Sequence, residues 1–149
     1  MEVLVIRSAR EHVLRGCLER IAAGARVTVL GQRARVRTAV DWVDAPPGPL
    51  AWRRLDREAR AALRSRRWSE VVVLHNLGDE GYADVLALAL RAAPLAPLRV
   101  YYADGVECRH HSALTLAATR GAWTCMASAV LGLLMLAAVP FATVRSLRS

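Results

Sequence analysis

Val3-Leu4-Val5-Ile6-Arg7-Ser8-Ala9-Arg10-Glu11 opens the chain and decides how its fold is read. Four apolar residues in succession suit a strand buried on both faces, as in a parallel sheet. Ser8-Ala9-Arg10-Glu11 then has the spacing of a capping box, with a hydroxyl placed to accept an amide of the first helical turn and a carboxylate three residues on to reach back. Leu14, Leu18 and Ile21, with Cys17 beside them, form an i, i+4, i+7 stripe that Gly24 ends. Val27-Thr28-Val29-Leu30 gives a second strand, with Gly31 at its exit. Strand, helix and strand in this order are the unit from which parallel sheets are built.

The same alternation continues downstream. Ala39-Val40-Asp41-Trp42-Val43 reads as a short strand, and Pro46-Pro47-Gly48-Pro49 breaks the chain. Leu50 to Trp68 reads as one helix with Trp52, Leu55, Ala59, Ala62 and Leu63 on its buried stripe. Val71-Val72-Val73-Leu74 is a third continuous apolar strand, Asn76 to Gly81 a loop, and Tyr82 to Ala93 a helix stopped by Pro94 and Pro97. Leu98 to Tyr102 is the last strand, turned by Asp104-Gly105. The pattern predicts an α/β domain over residues 1–105: a single Rossmann-like half with a four- or five-stranded parallel sheet.

Beyond it the composition changes. Ala122 to Val144 is 23 residues without a formal charge. A helix of that length covers about 35 Å, against about 30 Å for a hydrocarbon core. Trp123 stands at one edge, and Arg145 and Arg148 follow at the other. The sequence therefore predicts a juxtamembrane segment at 106–121, a transmembrane helix at 122–144 and a short basic tail at 145–149. Arg7, Arg10 and Glu11 interrupt the apolar start, so no secretory signal is read there. The expectation is a single-pass protein of the inner membrane with its N-terminal domain in the cytoplasm.

All 21 basic residues are arginine and face 13 acidic ones, for a net charge of +8. A hydrophobic share of 54% excludes disorder, and the positive balance favours anionic partners. Cys17, Cys108 and Cys125 are odd in number and far apart, so neither a disulfide framework nor a zinc knuckle is expected. Asp104, Glu107, Cys108, His110 and His111 crowd together without paired ligand spacing, and read as a polar loop with no metal.

Sites in sheets of this kind lie beyond the carboxyl ends of the strands. That rule selects Arg7, Ser8, Asn76, Gly78 and Asp104 as ligand-binding candidates, with Gly31 and Gln32 nearby. The Arg7-Ser8-Ala9-Arg10 turn offers guanidinium groups and a helix start to an anion, but no glycine for a diphosphate to approach the backbone. His75 as base and Asp79 as its orienter are the candidates for catalysis; Asp79 equally fits a helix cap. Arg53, Arg57, Arg60, Arg64 and Arg67 form a basic stripe suited to an anionic membrane surface, or simply a solvated face. No nucleic-acid-binding motif accompanies the charge.

Val3-Leu4-Val5-Ile6-Arg7, Ala25-Arg26-Val27-Thr28-Val29-Leu30 and Trp68-Ser69-Glu70-Val71-Val72-Val73-Leu74 together resemble the N-terminal half of glycosyltransferase family 9, the heptosyltransferase-like enzymes of the GT-B fold. The resemblance covers residues 1–105 and lies in strand spacing. It implies an acceptor-binding half; in the family a second half holds the sugar nucleotide. Two departures matter. Family members carry a Gly-Asp pair after the first strand where this chain has Arg7-Ser8-Ala9, and the stretch that follows here is the apolar run rather than a nucleotide-binding half. The expectation is a membrane-anchored, glycosyltransferase-like subunit of cell-envelope glycan assembly, without catalysis of its own and without a cofactor. Its partners would be the lipid bilayer and a glycan-assembly protein or lipid-linked sugar. The alternative is a tethered module that senses a nucleotide or another small anion, and a third is a small enzyme using His75 and Asp79.

Overall fold

The computed structural model describes residues 1–21, 24–36, 39–76, 82–122 and 124–129. Six strands form one sheet: β1 (Glu2–Arg7), β2 (Arg26–Gly31), β3 (Asp41–Asp44), β4 (Glu70–His75), β5 (Leu98–Tyr102) and β6 (Glu107–His110). Their order is β3-β2-β1-β4-β5-β6, with β1 to β5 parallel and β6 antiparallel to β5. Among the described residues before 111, the helices are α1 (Glu11–Arg20), α2 (Arg57–Ser65) and α3 (Tyr82–Ala92), with a 3-10 turn at Trp52–Arg54.

The apolar runs account for the centre of the sheet. Val3, Leu4, Val5 and Ile6 of β1, and Val71 to Leu74 of β4, are almost wholly buried on both faces. Full burial of one such side chain contributes about 1.5–3 kcal/mol. The chain steps from β1 outward to β3, then crosses back over β1 to β4. With right-handed crossovers, that reversal puts α1 on one face and α2 with α3 on the other. On the first face Val13, Leu14, Cys17 and Leu18 of α1 meet Val3, Val5, Val29, Val72 and Leu74, and Ala34, Val36, Val40 and Trp42 extend the cluster. The segment between β2 and β3 thus fills the place of a crossover helix.

Four local expectations change. The capping box does not form: Arg10, not Ser8, precedes α1, and no side chain caps it. Ser8 instead donates to the Leu74 carbonyl oxygen, a backbone acceptor on the neighbouring strand. The predicted helix from Leu50 to Trp68 is divided because Asp56 caps α2, accepting the Ala59 amide at 2.6 Å. At the other end Trp68 leaves the helix, donating its indole N–H to the Leu63 carbonyl at 2.8 Å. Finally, the sheet holds six strands and runs past residue 105. Glu107–His110, read as part of a polar juxtamembrane loop, is an edge strand whose residues face Leu98 to Tyr101. An edge strand of Glu-Cys-Arg-His carries no apolar alternation, so its sequence resembled a loop.

The chain divides into compact units at residues 1–115 and 116–149. Residues 113–122 and 124–129 are helical, and Ser112 caps their start by accepting the Thr115 amide at 3.1 Å. Most of the predicted span at 122–144 lies outside the described residues, within which no helix is long and apolar enough to cross a membrane.

Candidate functional site

In this strand order β1 and β4 are neighbours whose connections leave in opposite directions, so a crevice is expected between their carboxyl ends. The structure places Arg7 and Ser8 there, at the end of β1, with His75 and Asn76 at the end of β4. The Ser8 hydroxyl ties the two strands through Leu74, leaving the oxygen's lone pairs as acceptors. A concave site of about 180 Å³ opens beside it, lined by Arg7, Ser8, Ala9, Gln32, Pro46, Gly48 and Leu50.

Arg7 is the centre of this site. One of its terminal nitrogens donates to the Gln32 carbonyl oxygen, which aims the guanidinium along the ends of β1 and β2. Its Nε is buried and has no hydrogen-bond partner among the described residues. A buried donor left unpaired costs about 1–3 kcal/mol, more on a charged group. Gly31 permits the arrangement: its φ is +152°, and a Cβ there would lie 2.9 Å from the Arg7 Cβ. Any larger residue would displace the arginine stem.

The far wall is the turn after β3. Arg54 holds it by donating to the Pro47 carbonyl at 2.8 Å and the Pro49 carbonyl at 3.3 Å. Gly48 makes room for that guanidinium, having a φ of +100° and an open side-chain position 2.8 Å from the Arg54 Nη1. Sequence reasoning took Pro46 to Pro49 as a plain break. The missed signal was position: a turn that directly follows a parallel strand stands at the carboxyl end of the sheet.

The other candidates separate from this wall. His75 Nδ1 donates to the Asn76 carbonyl oxygen, and its ring lies 5.5 Å from that of Tyr102 at 33°. Gly78 and Asp79 lie outside the described residues, so the His75–Asp79 pairing has no geometry to report. Asp104 serves the β5–β6 turn, where its Oδ1 accepts the Val106 amide at 3.0 Å. Asp104, Glu107, Cys108, His110 and His111 do not converge: among the described residues no three metal-ligating side chains gather. The arginine stripe also divides. Arg57, Arg60 and Arg64 share a shallow groove on α2, Arg53 belongs to the preceding 3-10 turn, and Arg67 stands beyond the helix. Arg64 stacks on the Trp52 ring at 4.9 Å.

The arrangement can hold a small anion, with a guanidinium and the start of α1 at one crevice. Comparison with protein-family models, curated proteins and solved structures finds no match to this chain.

Proposed function

We propose that this chain is a membrane-anchored, glycosyltransferase-like binding lobe that holds the anionic part of an acceptor in the Arg7 crevice. It would serve cell-envelope glycan assembly as an acceptor-binding or accessory subunit, on the cytoplasmic face of the inner membrane, with 122–144 as its anchor. The observation that carries the binding role is Arg7 lining a concave site at the switch point of the sheet. The glycan setting rests on the family resemblance of residues 1–105.

The same guanidinium favours a second reading, a tethered module that senses a nucleotide or another small anion. Thermal denaturation separates the two. A ligand at a hundred times its Kd stabilises the native state by about 2.7 kcal/mol. Stabilisation by a polyprenyl-diphosphate-linked sugar in detergent, and not by a nucleoside diphosphate, supports the glycan reading. The converse supports the sensor. No response to either, with Arg7 intact, overturns both.

A further inference from the structure

The edge of the sheet opposite the Arg7 crevice has a character of its own. At the amino ends of the strands, Arg66, Arg67 and Trp68 face the loop Pro94-Leu95-Ala96-Pro97 across a shallow groove of about 500 Å³. Leu95, held between two prolines, is 75% exposed. Arg66 is committed inward, bonded to Thr28 at 2.7 Å and Asp41 at 3.3 Å. Arg67 and Arg91, the latter in the last turn of α3, are exposed and have no partner among the described residues. The acids at this end are already engaged: Glu2 and Asp41 lie against Arg26, and Glu70 against Arg99. The edge therefore carries uncompensated positive charge around one protruding leucine.

The chain also leaves the domain here. The Leu114 amide donates to the Pro94 carbonyl at 3.2 Å, and Leu114 itself is 50% exposed. Ala122, where the charge-free run begins, lies eight positions beyond Leu114. At about 1.5 Å per helical residue that leash is about 12 Å, close to the Debye length of about 8–10 Å.

We propose that this amino-end edge is laid against the bilayer, with Arg67 and Arg91 pairing anionic phospholipid headgroups and Leu95 entering the interface. The proposal rests on the anchor reading of 122–144. It replaces the α2 stripe as the lipid-facing surface, since Arg57, Arg60 and Arg64 lie along a helix flank rather than beside the exit. Basic residues near an anionic leaflet contribute about 1 kcal/mol each.

The test uses the full chain, with Cys108 and Cys125 replaced by alanine, reconstituted into phosphatidylcholine vesicles with or without phosphatidylglycerol. An environment-sensitive fluorophore is placed at Leu95→Cys or, as a control near the carboxyl edge, at the exposed His12→Cys. The expected result is a blue shift of the Leu95 label in phosphatidylglycerol vesicles, lost with Arg67→Glu and Arg91→Glu, and an unshifted His12 label. Alkaline carbonate washing reads the anchor separately. Retention in the vesicles with a water-like Leu95 label, or a shift indifferent to both charge reversals, overturns this proposal alone. Release by carbonate overturns the anchor and the proposal together.

Discussion

Ser8, just after β1, donates its hydroxyl hydrogen to the carbonyl oxygen of Leu74, near the end of β4, and so spans the switch point of the sheet. Its removal leaves a partly buried carbonyl without this donor. Ser8→Ala should cost about 1 kcal/mol, read as a lower urea midpoint with an unchanged m-value. An unchanged midpoint would show that water replaces the hydroxyl.

Arg7 should behave differently, because its Nε is already unsatisfied. Arg7→Met removes the unpaired Nε donor and keeps most of the stem's packing. We expect stability to be unchanged or slightly raised, while affinity for the crevice ligand falls about tenfold or more, the loss of one charge-assisted bond. A titration calorimetry series on both proteins checks the two effects independently.

Gly31→Ala tests the close approach behind that arginine. Both the backbone angle and the 2.9 Å approach to the Arg7 Cβ oppose a methyl group. A loss of about 1–3 kcal/mol is expected, accompanied by weaker ligand binding. Thermal denaturation with and without ligand separates them.

Arg99 is a buried cation, 8% exposed, with Glu70 at 2.7 Å and Glu107 at 3.6 Å. Removing an acid leaves the cation under-compensated, whereas an apolar residue in place of the cation fits the surrounding core. Glu70→Ala should therefore destabilise by about 2 kcal/mol or more, and more than Arg99→Met does. Equal losses in chemical denaturation would contradict the asymmetry.

Burial pushes the Cys17 thiol up to about 12. The unfolded thiol ionises near its ordinary value of 9.0, so the native state alone keeps the proton between these values. The contribution is complete below pH 9 and shrinks as pH rises toward 12, on the order of 1 kcal/mol per pH unit. Cys17→Ala should lose less stability than the parent between pH 9 and 11. Alkylation at pH 8 should spare the buried Cys17.

The central strands were legible because their burial on both faces leaves uninterrupted runs such as Val71 to Leu74. The edges were not. β6 pairs through its backbone while carrying Glu107 and Arg109, so no apolar period marks it. The division of the second helical region was signalled by Asp56 but outweighed by the apolar stripe from Trp52 to Leu63. At the site, position gave Arg7 and Ser8, while tertiary contacts alone disclose that Ser8 bonds Leu74 and that Arg54 fixes the proline turn.

The reversal of β6 has a topological cost and benefit for whatever the protein binds. Five parallel strands point their carboxyl ends to one pole; the sixth, antiparallel, returns the chain to the other. The Arg7 crevice and the end of β6 consequently stand a strand's length apart, about 20 Å for six residues. A ligand of the Arg7 crevice therefore enters at the pole opposite the one where β6 ends.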